Sequence, residues 1–337
     1  MTHDPLSDVL RSVRLRGAVF YYVSFCDEWV AEAPPANAIA DAVMPGAEHV
    51  LAYHHVVKGG GWAVMEGQQP ARLAAGDTIL FPRGDGHVLT SAPGLRAQPD
   101  CTDWVFATRN DPKPIPVTYH RGVLRPGAAL PADEATTVVV CGFIGCDLRP
   151  FNPLIGALPR MLHIPSGGVG DWVQAVLHQA VQESRERRPG SEAVLERASE
   201  MVFVDAARRY LESLPEDAAG WLAGLRDRYV GKALALLHEQ PNREWSIEEV
   251  GRQVALSRSA LHERFVRYVG VPPMQYLASW RMQLGANLLR TSHATVAHVA
   301  QEVGYDSEAA FARAFKRAMG LPPAAWRRNE HKPGPTI

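Results

Sequence analysis

Trp245-Ser-Ile-Glu-Glu-Val250, continued by Leu256-Ser-Arg-Ser-Ala-Leu-His-Glu-Arg-Phe265, is the stretch on which the fold turns. Ser246 has the side chain of a helix N-cap, and Ile247, Val250 and Val254 follow at helical spacing, so residues 247–254 read as a short helix. Ala255-Leu256-Ser257 is a tight turn, and a second helix is expected from Arg258 to Tyr268. The plan recurs further on, where Thr295 caps 296–303, Gly304-Tyr305-Asp306 turns, and Ser307 to Met319 is helical. Each half is a helix-turn-helix, whose second helix can lie in a DNA major groove with its N-terminal residues facing base edges.

Between the two halves, Pro273 to Arg290 reads as one helix with Leu277, Trp280, Leu284 and Leu288 on one stripe. At ~1.5 Å per residue it is about 27 Å long. One turn of DNA is about 34 Å, so such a spacer lets two recognition helices enter successive major grooves without a dimer.

Charge supports this reading. Residues 226–330 carry 15 Lys/Arg against 10 Asp/Glu, whereas residues 1–225 carry 19 against 26. A basic third joined to an acidic remainder suits a nucleic-acid-binding module attached to a part that avoids nucleic acid. The chain of 337 residues has room for about two domains, and 46% hydrophobic with 21% charged residues excludes a disordered or fibrous protein. The longest run without Asp, Glu, Lys or Arg is Tyr268 to Trp280, which contains Pro272 and Pro273, whereas a membrane span needs about 20 apolar residues. Gly17 to Cys26 follows Arg11, Arg14 and Arg16, but Phe20 to Val23 are strand formers and no small-residue cleavage site follows. With four cysteines and no disulfide framework, the expected location is cytoplasmic.

Up to residue 150 the apolar runs are short and β-branched (Val19 to Phe25, Val50 to Val57, Trp62 to Met65, Thr78 to Phe81, Thr136 to Phe143) and separated by Gly/Pro turns, which predicts a sandwich or barrel. Residues 151–170 form a connector, and helices are expected over Asp171 to Arg187 and Ser191 to Leu214. These helices serve either as a dimer interface or as cover for one barrel face. The expected domains are 1–150, 151–225 and 226–330.

With Gly270-Val-Pro-Pro-Met-Gln-Tyr-Leu277, Trp280-Arg-Met282, Val303-Gly-Tyr-Asp-Ser-Glu-Ala-Ala-Phe-Ala-Arg-Ala-Phe-Lys-Arg317 and Gly320-Leu-Pro-Pro323 added, residues 226–328 resemble the DNA-binding domain of AraC/XylS-type transcriptional regulators. The resemblance implies base-reading positions at Ser259, His262 and Glu263, and at Glu308, Ala309, Ala310, Ala312 and Arg313. Ser257 and Ser307 open the two recognition helices and join the candidate DNA-binding set. Arg258, Arg264, Arg267, Lys316 and Arg317 are expected to meet phosphates, which anchor without specifying. Phe265, Phe311 and Phe315 are core pins. Two positions depart from the family: Gly251 stands where it usually has Ala, and Ala255 where the turn usually has Gly, so the first turn is expected to be strained.

Gly76-Asp-Thr-Ile-Leu-Phe-Pro82-Arg-Gly84-Asp-Gly-His87 resembles the second cupin motif, in which the histidine points into the barrel. The first cupin motif is degraded: His54 and His55 precede Gly59 without the His-x-His pair or the expected Glu. His54, His87 and Trp62 are the candidate effector pocket. A metal ion on His54 and His87, completed by Cys101 or Cys141, is one reading of the pair, and a pocket histidine without metal is the other. Thr137-Val-Val-Val-Cys141-Gly-Phe-Ile-Gly-Cys146 further resembles the cupin-type sensor half of one AraC-like branch, which makes Cys141 and Cys146 either redox candidates or inert buried thiols.

The expected fold class is therefore α+β multidomain: an N-terminal cupin-like β-barrel with a helical dimerisation segment, and a C-terminal all-α double helix-turn-helix. The expected function is sequence-specific binding of double-stranded promoter DNA by an effector-responsive activator, not an enzyme. Its partners would be a second copy in a homodimer, a small-molecule or redox effector and, by resemblance, RNA polymerase. The alternatives are a cupin metalloenzyme with a helical appendage, against which the missing motif residues count, and a cysteine-based redox-sensing regulator.

Overall fold

A computed structural model of the chain describes residues 3–26, 28–96, 103–120, 123–127, 134–167, 172, 175–179, 182, 186 and 188–330. It divides into two compact units, one made of Arg14–Cys146 and Leu158–Ser213, the other of Met1–Val13, Asp147–Ala157 and Leu214–Ile337. This differs from the expected boundaries of 1–150, 151–225 and 226–330. Helix α1 (Pro5–Ser12) buries Pro5, Leu6 and Val9, and α4 (Pro153–Ala157) buries Leu154 and Ile155, both within the C-terminal helical unit. An amphipathic helix must bury its apolar stripe against a partner, and sequence position does not say which.

The barrel unit has a seven-stranded sheet and a four-stranded sheet. The larger holds β1 (Arg16–Phe25), β3 (His49–Lys58), β6 (Thr78–Phe81), β8 (Ile115–His120), β9 (Val123–Pro126), β10 (Thr137–Cys146) and β11 (Leu162–Ile164), in the order β11-β6-β3-β10-β1-β8-β9. The smaller holds β2 (Val30–Ala33), β4 (Gly60–Val64), β5 (Ala71–Ala74) and β7 (His87–Thr90), in the order β2-β7-β4-β5. Central strand β10 is buried along nearly its whole length, which is why its sequence is a continuous apolar run rather than an alternation. Aromatic side chains fill the core, with the Phe25 and Trp29 rings stacked at 4.0 Å and Phe20 edge-on to Phe143.

Short helices α2 (Ala40–Val43) and α3 (Asp103–Ala107) lie within strand connections, and α5 (Ser191–Ser213) covers the large sheet. Leu195, Ala198, Val202, Phe203 and Ala206 of α5 are buried, and the Tyr53 and Ser199 hydroxyls are 2.7 Å apart. Gly17 permits the close approach: a Cβ there would fall 2.4 Å from the Ser199 Cβ. Covering a barrel face is thus the use this structure gives that helix, and the expected helix over 171–187 lies largely outside the described residues.

The helical unit continues with α6 (Trp221–Arg226), α7 (Val230–Glu239), α8 (Ile247–Gln253), α9 (Arg258–Val269), α10 (Pro273–Thr291), α11 (Val296–Glu302), α12 (Glu308–Met319) and α13 (Pro323–Glu330). The caps are where the sequence puts them. Ser246 accepts from the Glu249 N–H, Ser257 from Ala260, Thr295 from His298 and Ser307 from Ala310. Gly270 and Gly320 end the recognition helices α9 and α12 in the left-handed region. Phe265, Phe311 and Phe315 are fully buried, as core pins must be.

Candidate nucleic-acid interface and sensor cluster

The cap, the turn and the buried residues Leu261 and Phe265 on α9, and Phe311, Phe315 and Met319 on α12, fix which face of each recognition helix remains outside. On α9 and just before it, Ser257, Arg258, Ser259, His262 and Glu263 are exposed; around α12, Ser307, Glu308, Ala309, Arg313, Lys316 and Arg317 are exposed. The hydroxyls of Ser257 and Ser307 are spent as acceptors for backbone N–H groups and remain donors. Arg258 pairs with Glu248 at 3.0 Å on the surface. Arg264 departs from its expected phosphate role. Its guanidinium grips Asp227 with two nitrogens, at 3.0 Å and 2.5 Å, while the Asp227 carboxylate accepts from the N–H groups of Tyr229 and Val230 at the start of α7. Arg264 therefore ties the first recognition helix to α7.

Inside the barrel, β3 and β10 pair with His54 opposite Cys141, and β7 brings His87 to the same point. His54 Nδ1 lies 3.0 Å from the Cys141 Sγ, and His54 Nε2 lies 2.7 Å from His87 Nε2. His87 Nδ1 lies 2.9 Å from the Asp85 backbone carbonyl, and its ring stacks on Phe81. The carbonyl can only accept, so His87 Nδ1 donates and its Nε2 accepts. His54 Nε2 then donates, and His54 Nδ1 accepts from the Cys141 S–H. The direction of the whole chain follows from its last member.

Burial keeps these groups uncharged. It pushes His87 down to about 4 and His54 well below the ordinary imidazole range, the neighbouring imidazole adding to the latter effect. It also pushes the Cys141 thiol up to about 12, which withholds the thiolate that oxidants attack. Cys146 is buried at the far end of the same strand. Trp62 stands half-buried on β4, opposite Thr90 of β7.

The arrangement does not suit a metal ion on His54 and His87. Two nitrogens on one tetrahedral zinc at ~2.0–2.1 Å stand about 3.3 Å apart, farther than the 2.7 Å here, and Cys141 sits at the opposite nitrogen of the His54 ring. Among the described residues no group of three or more His, Cys, Asp or Glu is placed to hold a metal; Cys101 lies outside them. Asp85, where the hydrogen-bond chain ends, pairs with Arg160 at 2.7 Å and lines a cleft of about 430 Å³ together with Asn37, His49 and Arg83. Sequence reading brought Cys141 to His54 only as one of two ways to complete a metal site; the hydrogen bond between them depends on strand register.

The Cupin family matches residues 4–212, and the family described as helix-turn-helix domain matches residues 250–329. A protein of Streptomyces lividans named as an AraC-like transcription regulator is 32% identical over 98% of this chain and 100% of its own length. The chain belongs to the AraC-like transcription regulators. Another similar protein, the HTH-type transcriptional regulator AlkR of Acinetobacter baylyi, is 26% identical over 96% of this chain and 99% of its own. Among solved structures, the DNA-binding domain of AdpA in complex with a target DNA matches 31% of this chain and 92% of its own at 29% identity, with a TM-score of 0.30. As an AraC-like regulator the chain binds DNA. Among the described residues no helix is long and apolar enough to cross a membrane.

Proposed function

We propose that this AraC-like regulator is an effector-responsive activator whose cupin barrel is the sensor, acting in the cytoplasm as a homodimer on promoter DNA and RNA polymerase, without enzymatic activity of its own. The observation that carries the sensor reading is the chain Cys141–His54–His87–Asp85: a fully paired polar line that ends on a residue lining an open cleft. A ligand that re-pairs any member must re-pair all of them. A small molecule fits this site better than an oxidant, since the thiol is held protonated. On DNA, Ser259, His262, Glu263, Glu308, Ala309 and Arg313 face the bases, and Arg258, Lys316 and Arg317 face phosphates.

Two experiments test this. In the first, His87→Ala retains DNA binding and loses the transcriptional response; Cys141→Ser and Cys146→Ser serve as the redox control, and a response silenced by them but not by His87→Ala rejects the small-molecule pocket. In the second, Arg313→Ala costs ~1–3 kcal/mol at one base pair of the preferred site, while Lys316→Ala weakens all sequences alike. Equal losses on specific and non-specific DNA for both variants reject the assignment.

A further inference from the structure

Helix α10 joins the two helix-turn-helix units, and three polar side chains recur on it at heptad spacing: Tyr276, Gln283 and Arg290. A heptad repeat keeps one helix face, so these three form a single line. All three are engaged with the two chain segments that adjoin the central strands of the barrel. The Tyr276 hydroxyl accepts from Trp221 Nε1 at 3.0 Å and lies 2.8 Å from His238 Nε2; His238 Nδ1 in turn lies 3.2 Å from the Asp8 carboxylate of α1. The Tyr276 ring also packs edge-on against Phe151 at 5.1 Å. Gln283, 1% exposed, spends both ends of its amide: Nε2 donates to the Ser12 carbonyl at 2.9 Å, and Oε1 accepts from the Phe151 N–H at 3.1 Å. Arg290 pairs with Asp147 at 2.9 Å.

Ser12 precedes β1 by a few residues, and Asp147 directly follows β10. Within the barrel these strands are paired, Arg16 standing opposite Gly145, and β10 carries Cys141. The chain entering β1 and the chain leaving β10 are thus fastened together twice: by the β-ladder in the barrel, and by the side chain of Gln283 in the helical unit. We propose that the Tyr276–Gln283–Arg290 line is the coupling face of this regulator, with Gln283 as the positioning residue that sets α10, and with it the recognition helices, according to the relative position of β1 and β10. A shift between those strands pulls on one end of a buried amide, and leaving either end unpaired costs the desolvation of that group. Gln283 therefore has two discrete outcomes, engaged or released, as a coupling element requires. This rests on the sensor reading above.

The probe is a duplex selected by the wild-type chain from a randomised pool, and the full chain is used throughout. Gln283→Leu keeps the side-chain bulk and removes both hydrogen bonds. We expect it to weaken binding about fivefold or more and to flatten the preference for the selected spacing between the two half-sites, within the range of ordinary coupling energies. Binding within twofold of wild type and an unchanged spacing preference overturn the proposal. Should Gln283→Leu unfold the helical unit, a second variant decides: two glycines inserted between Val13 and Arg14 slacken the tether and leave the clip intact. That chain should bind the duplex as wild type does but lose the transcriptional response to the inducing condition; an undiminished response overturns the coupling. If His87→Ala leaves the transcriptional response intact in the wild-type background, the sensor reading fails, and the coupling face stands or falls on the spacing preference of Gln283→Leu, or of Gln283→Met where the leucine variant unfolds.

Discussion

Ala255 holds φ +58°, the one non-glycine among the described residues in the left-handed region. An L-residue there pays roughly 1–2 kcal/mol. The cost has a local cause. Leu256 N–H donates to the Gly251 carbonyl at 2.9 Å, and a Cβ on Gly251 would fall 2.7 Å from the Leu256 carbonyl oxygen. The second unit has the same turn with the residues exchanged: Ala300 occupies the Gly251 place, Gly304 takes φ +80°, and Tyr305 N–H donates to the Ala300 carbonyl at 2.8 Å. Ala255→Gly should therefore stabilise the chain by roughly 0.5–1 kcal/mol, and Gly251→Ala should destabilise it, both read from thermal unfolding. A lower melting temperature for Ala255→Gly would show that the turn is not strained. This much was legible in the sequence, because glycine and alanine at a turn report on backbone shape alone. The fate of Arg264 was not: a basic residue on a recognition helix looks the same whether it meets a phosphate or, as here, Asp227.

Elements defined by local signals were readable in advance. Each helix-turn-helix is marked by a capping hydroxyl, a short turn and buried phenylalanines, and these occupy the expected places. Elements defined by their partners were not. Helix α5 shows the same apolar face whether it meets another copy or its own sheet, and only the structure places it over Gly17 of β1. The sensor cluster was half legible, since a turn motif marks His87 but Cys141 reaches His54 through β3–β10 register. The cluster has a consequence in acid. His87 and His55 are held down to about 4 by burial, while an unfolded imidazole titrates near 6.5. Between these values the unfolded chain binds protons that the folded barrel refuses. Barrel stability is therefore complete above about pH 6.5, is lost as pH falls toward 4, and loses nothing more to these groups below that. The melting temperature should accordingly be lower at pH 5 than at pH 7.5, and equal values would reject the buried neutral assignment.

The chain as a whole is less modular than its composition suggests. The excess of Lys and Arg begins near residue 226, which invites treating 226–337 as a free-standing DNA-binding piece. Such a fragment lacks α1, α4 and Trp221, and so bares the surfaces that Leu6, Val9, Leu154 and Ile155 cover. We expect a fragment of residues 214–337 to melt at a higher temperature when a peptide of residues 1–13 is added, by ordinary ligand linkage. No change on addition would show that α1 is a passenger. The pairing of Asp8 with His238 also bears on how the protein is made. These residues are 230 positions apart in the chain. At the ribosome's pace of about 5–20 residues per second, the apolar face of the first helix waits roughly 10–50 s for its partner, while the barrel encoded between them is synthesised and can fold. Until then that apolar face stays uncovered, a surface that a chaperone can hold while the barrel forms.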